Sequence, residues 1–343
     1  MLSNAEEELL QFVEKSGIPV ASTLLGLGAF PNNNPLYVGY LGMHGDYAPN
    51  IKTNECDVLI AVGMRFDDRV TGDVSRYAKQ AKVIHIDIDA AELNKIIKAD
   101  VPVHADAKEA LKLLTELVQE KQHLVWLNEF TEAKKTEVET LQKSSELLFS
   151  SELKMDEVIK ILSEITNGEA VVVTDVGQHQ MMTARYYNYN KSKSNITSGG
   201  LGTMGFALPA AIGAKFGTPD KTVIAVIGDG GFQMTLQELG TILQSKVEVK
   251  IIILNNRFLG MVRQWQDLFF EKRYSFTEIM SPDFVALSKA YSIESSRIEE
   301  RTHLKEALLE MLNHQGSYLL EVMVAKEENV FPMVPTGASV SEI

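Results

Sequence analysis

The sequence predicts an α/β fold made of two doubly wound parallel-sheet domains. Short apolar runs rich in β-branched residues alternate with segments of helical periodicity along almost the whole chain, a pattern typical of parallel βαβ units. The length of 343 residues indicates about two domains. A hydrophobic content of 45% and a charged content of 23% are ordinary for globular proteins. We expect a first domain over residues 1–118, a linker over 119–151 and a second domain over 152–343.

The first half shows strand and helix patterns in alternation. Its buried-strand runs are residues 18–23, 58–62 and 83–88. Residues 108–118 repeat apolar side chains at helical spacing, which predicts a helix that closes the first domain. Residues 119–151 are rich in Glu, Lys, Gln and Ser and have only scattered apolar residues, so we interpret them as a partly helical linker.

The second half repeats this alternation over a longer stretch. Buried strands are predicted at residues 171–174, 223–227, 250–254 and 319–324, and a clear helix at 303–314. In such a doubly wound domain, ligands bind at the carboxyl ends of the strands.

Composition and charge exclude several classes of function. The net charge of −13 argues against binding to nucleic-acid phosphates or to anionic membranes, so small molecules are the expected partners. Cys56 is the one cysteine, which excludes an intrachain disulfide and a cysteine zinc cluster. The acidic N-terminus does not resemble a signal peptide, and no apolar run reaches the ~20 residues of a membrane helix. We therefore expect a cytoplasmic protein.

Two polar turns follow consecutive strands of the second half. The strand at 223–227 runs into residues 228–231, Gly-Asp-Gly-Gly, and the strand at 250–254 runs into Asn255 and Asn256. A right-handed crossover brings the two turns to one sheet edge, where the Asp229 carboxylate and the Asn256 amide oxygen suit Mg²⁺. The glycines let backbone N–H groups approach an anion such as a diphosphate. Taken alone, the Gly-Asp-Gly could also be a plain strand-to-helix turn.

The pairing of these turns resembles the thiamine-diphosphate motif of a family of enzymes. Further segments resemble the catalytic large subunit of acetohydroxyacid synthase, also called acetolactate synthase. They are residues 200–211 and 260–266 in the second half, 41–45 and 63–72 in the first half, and 328–335 near the end. The resemblance implies a partial central Rossmann-like domain on the FAD side, followed by the diphosphate-binding domain and its C-terminal tail.

The resemblance also implies roles for particular residues beside the second sheet. Asp229, the Asn256 side chain and the Phe258 carbonyl would bind Mg²⁺. The implied cofactor-binding residues are Gly177, Gln178, His179, Gly202, Met204, Gly228, Gly230, Gly231 and Met261. Without the resemblance, His179 would be taken for a surface or cap residue and Met204 for a core methionine.

In the first half, the resemblance implies an FAD site and part of a substrate channel. The implied FAD residues are Gly42, Met43, His44, Arg65, Asp87 and Asp106, and the channel residues are Arg69, Met261 and Trp265. The alternatives are a surface salt-bridge cluster for residues 65–69, solvent-facing acids for 85–89 and ordinary packing for Met261 and Trp265.

The implied reaction is decarboxylation of pyruvate and its carboligation to a second 2-ketoacid, pyruvate or 2-ketobutyrate, in branched-chain amino-acid biosynthesis. A homodimer or tetramer and a small regulatory subunit are the implied partners. Pyruvate oxidase, glyoxylate carboligase and a non-catalytic diphosphate-binding or oligomerisation module are the alternatives. The Gly-Met-Val-Arg-Gln-Trp-Gln segment at 260–266 favours the synthase.

The sequence departs from the family at its start. Full-length relatives begin with a further domain that supplies a cofactor-activating glutamate, and this sequence contains no match to it. We therefore assign no catalytic residue here and expect little activity from the chain alone. A cloned C-terminal piece, a truncated or split reading frame, and a chain that borrows the missing domain from a partner all remain open.

Overall fold

The computed structural model describes residues 2–146 and 152–343. Packing divides the chain into two compact units. Unit 1 comprises Met1–Leu148, Asn190–Ser192 and Phe331–Ile343, and unit 2 comprises Phe149–Tyr189 and Lys193–Val330. The parallel sheets in both units confirm the predicted α/β fold class.

Unit 1 contains two small parallel sheets, β1-β2 and β3-β4-β5. Its elements in chain order are α1 (Glu6–Ser16), β1 (Val20–Ser22), β2 (Tyr37–Tyr40), α2 (Tyr47–Thr53), β3 (Val58–Val62), α3 (Asp68–Thr71), β4 (Lys82–Asp87), β5 (Val101–His104), α4 (Ala107–Leu117) and α5 (Leu124–Glu146), with 3₁₀ turns at Leu24–Gly26 and Val74–Arg76.

The first helix illustrates why the elements of unit 1 form where they do. α1 begins with Glu6, Glu7 and Glu8 at its positive end and buries Phe12 and Val13 against the core. It ends at Gly17, whose φ of 66° is left-handed. A side chain at Gly17 would meet the backbone oxygen of Lys121, so glycine is required there.

The partly helical linker predicted over 119–151 contains one long helix, α5. α5 packs on α2: the Lys52 ammonium lies 2.9 Å from a carboxylate oxygen of Glu129, and the Tyr47 N–H donates to Glu137 over 2.8 Å. Phe130 is buried beside these contacts. The contacts are made between segments distant in sequence, which composition could not reveal. Residues 147–151 of the predicted linker lie outside the described residues.

The C-terminal tail corrects the predicted boundary of the second domain. Residues 331–343 belong to unit 1, not to a domain over 152–343. The Val334 N–H donates to the Met43 carbonyl over 2.8 Å, and Ser339 forms an antiparallel bridge with Gly72. Val334 and Val340 of the tail are buried, and Val340 belongs to a core cluster of unit 1, so apolar packing holds the tail together with these backbone partners.

Unit 2 is built on a six-stranded parallel sheet of order β10-β11-β9-β8-β6-β7. Its elements are α6 (Met155–Thr166), β6 (Val171–Thr174), α7 (Gln178–Tyr186), β7 (Asn195–Thr197), α8 (Ala207–Gly217), β8 (Val223–Gly228), α9 (Asp229–Thr235), α10 (Leu239–Ser245), β9 (Lys250–Asn255), α11 (Gly260–Phe269), α12 (Phe284–Ala290), β10 (Glu294–Ile298), α13 (Leu304–Asn313) and β11 (Tyr318–Met323), with 3₁₀ turns at Leu236–Glu238 and Arg301–His303.

The central strands of unit 2 are buried on both faces. β6, β8 and β9 consist almost wholly of fully buried apolar residues, and these strands lie within one residue of their predicted positions. The strands that the sequence did not predict are β2, β5, β7 and β10, which are short or lie at sheet edges. Edge strands bury less apolar surface, so their sequences carry a weaker pattern.

Candidate functional site

The sheet of unit 2 changes direction of winding between β6 and β8. In the strand order, the chain steps from β6 towards one edge of the sheet, to β7, and from β8 towards the opposite edge, to β9. Such a switch point opens a crevice at the carboxyl ends of the two strands, where ligands of this fold bind. The turns at residues 175–177 and 228–231 occupy these ends.

Asp229 and Asn256 lie at the same edge of this sheet. β8 and β9 pair in parallel with Gly228 opposite Leu254, so Asp229 follows its strand by one position and Asn256 follows Leu254 by two. This placement agrees with the crossover expected from the sequence.

Asp229 is a buried carboxylate that is short of partners. Its residue is 1% exposed, and one oxygen accepts a hydrogen bond from the Ser281 hydroxyl over 3.1 Å. Burial raises the pKa of Asp229 to about 6, against the lowering effect of Ser281 and of nearby backbone N–H groups. A cation beside this carboxylate would offset the burial, so the position suits a metal ligand.

The Asn255-Asn256 turn holds its two side chains in defined places. The Asn256 side-chain oxygen accepts from the Phe258 N–H over 3.1 Å, and its amide group donates to Gln178 over 3.3 Å. The Asn255 oxygen likewise accepts from the Arg257 N–H over 3.1 Å. Both asparagines therefore stabilise the turn that contains Phe258.

A short antiparallel bridge fixes the backbone on either side of Phe258. The Leu259 N–H donates to the Thr277 carbonyl over 2.7 Å, and the Ile279 N–H donates to the Arg257 carbonyl over 3.0 Å. Neither bond uses the Phe258 carbonyl, which the resemblance implies as a metal ligand.

The donors at this edge fit a magnesium ion. Among the described residues, no group of three or more His, Cys, Asp or Glu side chains could hold a metal. A site here would therefore combine the Asp229 carboxylate with the Asn256 amide oxygen and a backbone carbonyl. Such a set of hard oxygens, completed by phosphate oxygens and water, is the kind that Mg²⁺ accepts.

Protein side chains pack closely around the glycines of the Gly-Asp-Gly-Gly turn, most closely around Gly231. A Cβ on Gly231 would lie 2.0 Å from an Asp175 carboxylate oxygen, and a Cβ on Gly230 would lie 2.8 Å from Leu259. A Cβ on Gly228 would lie 3.0 Å from the His179 ring. The sequence-based interpretation assigned these glycines to the approach of an anion. The structure gives close side-chain packing as a further reason.

His179 is held by a residue that the sequence analysis missed. Its Nε2 pairs with a carboxylate oxygen of Asp175, and the other Asp175 oxygen accepts from the Gly205 N–H over 2.8 Å. Both side chains are buried, and the His179 Nδ1 faces Gly228. Asp175 directly follows the buried strand β6 and lies four residues before His179, a signal that could have identified it.

The Gln178 side chain forms hydrogen bonds with three protein residues. Its side-chain amide donates to Gln264 over 2.9 Å and to the Glu328 carbonyl over 2.6 Å. Its oxygen accepts from Asn256, so protein partners occupy the whole side chain. The Gln178 side chain thus braces the turn, and its expected contact with a diphosphate stays a prediction.

The structure places Met204 close to the Gly-Asp-Gly-Gly turn. Its terminal methyl lies 3.7 Å from the position of a Cβ on Gly230. Gly202 is exposed with a left-handed φ of 65°, and Gly177, before α7, would crowd the His179 ring with any side chain.

The two predicted channel residues of α11 lie one turn apart and are half-buried. The Trp265 ring packs on Phe269 with ring centroids 5.0 Å apart, which accounts for part of its burial. Met261 and Trp265 thus share a helix face, as the spacing predicted.

In unit 1, the predicted FAD residues fall into two places. The loop of Gly42, Met43 and His44 is fastened by Asn50, which exchanges two hydrogen bonds with Gly42, and by the Met43 N–H, which donates to the Arg69 carbonyl over 2.7 Å.

Asp87 and Asp106 lie at another edge of unit 1. Asp87 is the last residue of β4 and lies opposite His104 of β5. Asp106 lies two residues after His104 in the chain. Asp106 caps α4 by accepting from the Lys108 N–H over 2.8 Å. The cap explains Asp106 without any ligand.

The arginines at 65 and 69 are exposed and pair with their sequence neighbours. Arg65 lies 3.3 Å from Asp67, and Arg69 lies 3.8 Å from Asp68. Arg69 also lines a cavity of about 250 Å³ together with Met43 and residues 334–337 of the tail. The salt-bridge alternative considered for this segment is therefore present in the structure.

Comparison with known proteins gives this geometry a family. The C-terminal thiamine-pyrophosphate-binding domain of thiamine pyrophosphate enzymes matches residues 175–322, and the central domain of the same enzymes matches residues 1–114. Together these matches cover more than half of the chain and include every turn described above. Among the described residues, no helix has both the length and the apolar character needed to cross a membrane.

Several relatives match nearly the whole chain. An acetolactate synthase large subunit of Lactococcus lactis is 44% identical over 97% of this chain and 57% of its own length. Acetolactate synthase isozyme 2 large subunit of Escherichia coli is 43% identical over 100% of this chain and 61% of its own length. Chloroplastic acetolactate synthase 1 of Nicotiana tabacum is 42% identical over 99% of this chain and 52% of its own length. The chain thus spans between half and two thirds of the length of these relatives. It belongs to the thiamine pyrophosphate enzymes and is a homologue of acetolactate synthase large subunits.

Proposed function

We propose that this chain supplies the Mg²⁺-diphosphate half of an acetolactate synthase, which joins two 2-ketoacids after decarboxylating pyruvate. The observation that carries the proposal is the placement of Asp229 and Asn256 at one edge of the sheet, beside the switch point. Thiamine diphosphate, when bound, would supply the electron sink that decarboxylation requires. The relatives named above support the choice of reaction.

The metal would be held by Asp229, the Asn256 side chain and the Phe258 carbonyl. The charge of Asp229 offsets that of Mg²⁺ in a buried place, where electrostatic interactions are strong. The turn of residues 255–258 and the bridge to Thr277 keep the other two donors in place before the metal arrives. Such preorganisation lowers the ordering cost of binding.

His179 would bind a diphosphate oxygen through Nδ1. Asp175 accepts the hydrogen bond of the His179 Nε2–H, which fixes the orientation of the ring and leaves Nδ1 to face the anion. The backbone N–H of Gln178 at the start of α7 would add a second donor. Asp175 is a positioning residue in this scheme because it acts through His179.

The apolar residues around Gly230 would enclose the cofactor. Met204, Leu259 and Ile279 all come within 4 Å of the position of a Cβ on Gly230. The roles of Met261, Trp265 and Arg69 in a substrate channel stay predictions. So do the FAD contacts of Gly42, Met43, His44, Arg65, Asp87 and Asp106.

Other elements of the proposed function rest on the family alone. These are 2-ketobutyrate as second substrate, a homodimer or tetramer, and a small regulatory subunit. A cytoplasmic location stays an expectation from the single cysteine, Cys56. A non-catalytic diphosphate-binding module remains the second candidate, because Asp229, Asn256 and His179 serve binding, and none of them is assigned to proton transfer on the substrate.

Binding and turnover distinguish the two candidates. Isothermal titration of the 343-residue chain with thiamine diphosphate should show binding with Mg²⁺ and none with a chelator present. Acetolactate formation from pyruvate should then be measured with Mg²⁺, thiamine diphosphate and FAD, with and without the segment of the Lactococcus lactis relative that this chain does not cover. Turnover with that segment supports the synthase. Binding without turnover in both reactions supports the module, and absence of binding would overturn both.

A further inference from the structure

Glu321 is a buried carboxylate in the middle of an apolar strand. It lies on β11 between Leu320 and Val322, and its residue is 1% exposed. Both of its oxygens are paired: Oε1 accepts from the Asn255 side-chain amide over 2.7 Å, and Oε2 accepts from the Arg297 Nε over 2.7 Å. An apolar residue would satisfy the packing of this strand without the cost of burying a charge. The carboxylate therefore has a purpose other than packing.

The contact with Asn255 decides which way that side chain is oriented. An ionised carboxylate only accepts hydrogen bonds, so the Asn255 NH₂ group must face Glu321. Its oxygen is then directed away, where it accepts from the Arg257 N–H over 3.1 Å. Arg257 has a left-handed φ of 57°, which costs energy in a residue with a side chain. The hydrogen bond from the Arg257 N–H to Asn255 supports this conformation, which in turn sets the backbone path of residues 256–258.

Arg297 holds Glu321 from the opposite side. The two residues are directly opposed on the neighbouring strands β10 and β11. Arg297 also lies 3.1 Å from Asp283, so its guanidinium is held at both ends. The chain of contacts thus runs from Arg297 through Glu321 and Asn255 to the metal-binding turn.

We propose that Glu321 is a positioning residue for the metal site: it orients the Asn255 amide, which sets the turn that carries the Asn256 side chain and the Phe258 carbonyl. The inference rests on the proposed function, since it assigns the turn to Mg²⁺. Glu321 itself contacts neither the metal nor the substrate. Its effect is exerted through Asn255.

A swap of hydrogen-bonding groups tests this role. In Glu321→Gln, an NH₂ group must face either the Asn255 NH₂ or the Arg297 guanidinium, so a donor meets a donor. In Asn255→Asp, two carboxylates face each other in a buried place. The double variant Asn255→Asp/Glu321→Gln reverses donor and acceptor and restores one good hydrogen bond with the net charge unchanged. Glu294→Gln, an exposed glutamate on β10, is the matched control.

Two measurements separate positioning from general stability. The first is the dissociation constant of Mg²⁺ at saturating thiamine diphosphate, by isothermal titration. The second is hydrogen exchange of the Arg257 N–H without metal, alongside the thermal midpoint of each variant. We expect Glu321→Gln to weaken Mg²⁺ binding about tenfold and to speed exchange at Arg257 about tenfold. The double variant should recover to within about threefold of the unsubstituted chain, and Glu294→Gln should match it.

The outcomes are distinct for the inference and for the proposed function. If the unsubstituted chain does not bind Mg²⁺ with thiamine diphosphate, the proposed function fails and this inference with it. If the chain binds but Glu321→Gln binds equally well, the inference alone is wrong. If Glu321→Gln does not fold, the double variant decides: Mg²⁺ binding near that of the unsubstituted chain supports the role, and binding that stays more than about tenfold weaker overturns it. A lowered thermal midpoint with unchanged Mg²⁺ affinity would make Glu321 merely structural.

Discussion

The buried site residues of unit 2 are held more firmly than the two arginines assigned to ligands in unit 1. In unit 2, Asp229, Asn256 and His179 are buried, and each has a named protein partner. In unit 1, Arg65 and Arg69 have side chains that are 59% and 60% exposed and pair with adjacent acids on the surface. A buried and braced site suits an ion that demands fixed geometry. Exposed arginines are free to rearrange, and they contribute little until a ligand arrives.

This contrast predicts that substitutions have large effects in unit 2 and small effects in unit 1. The sharpest test is the removal of the charge at Asp229. Asp229→Asn keeps the shape but loses the single carboxylate assigned to the metal, so Mg²⁺-dependent binding of thiamine diphosphate should weaken by about 100-fold or more. Isothermal titration measures it, with Asp220→Asn on an exposed loop as control. Unchanged binding would remove the metal assignment and the contrast together.

The second prediction concerns the packing beneath the Gly-Asp-Gly-Gly turn. In Gly231→Ala, the new Cβ would lie 2.0 Å from an Asp175 oxygen, and Asp175 is pinned by His179 and Gly205. We expect a loss of about 2–3 kcal/mol in the free energy of unfolding, measured by urea denaturation. Gly213→Ala is the control because nothing lies within 4 Å of its Cβ position in α8. That change should be neutral or stabilising by up to about 1 kcal/mol. Equal effects of the two substitutions would show that the turn is not tightly packed.

These residues also show how far the sequence could predict the site. Asp229 and Asn256 were predicted together because each follows a strand of buried apolar residues, which is a strong local pattern. Ser281, Gln264 and Glu328 were not, because each acts through a partner far away along the chain: Gln178 and Glu328 are 150 residues apart, and Asp229 and Ser281 are 52 apart. No local pattern encodes such contacts.

The same physical distinction applies to the fold. The central strands of unit 2 bury apolar residues on both faces, so their sequences predict them almost to the residue. The assignment of the tail at 331–343 to unit 1 and the packing of α5 on α2 were not predicted, because they depend on contacts with distant residues, such as the pairing of Lys52 with Glu129.

A third prediction concerns the pH dependence of metal binding and of stability, which follows from the raised pKa of Asp229. Mg²⁺ binds the ionised carboxylate, so affinity should fall about tenfold for each pH unit below about 6, where Asp229 takes up a proton. In the metal-free chain, the folded state holds this proton more tightly than the unfolded state does. Stability should therefore fall as pH rises from the ordinary value of 3.8 to about 6, and then level off.

Glu328 must be separated from Asp229 in this experiment. Burial also raises the pKa of Glu328, to about 7, and its backbone carbonyl contacts Gln178. The variant Glu328→Gln removes that titration and keeps the backbone contact. If Asp229 controls the metal, the fall in Mg²⁺ affinity below about pH 6 should persist in Glu328→Gln. A flat profile in that variant would assign the pH dependence to Glu328.

The smallest effect is expected at Arg65 in unit 1. Its guanidinium lies 3.3 Å from Asp67, and with the side chain 59% exposed the pair is solvated and gains little energy. Arg65→Gln should change the free energy of unfolding by less than about 0.5 kcal/mol, measured by urea denaturation. Lys52→Gln in the same unit is the informative partner, because Lys52 is largely buried between Glu55, Glu129 and the Trp126 ring and joins α5 to α2. Its loss should cost about 1–2 kcal/mol, since two carboxylates lose their shared cation. If Arg65→Gln is as destabilising as Lys52→Gln, the exposed arginines of unit 1 are structural, and the contrast between a braced unit 2 and an adaptable unit 1 does not hold.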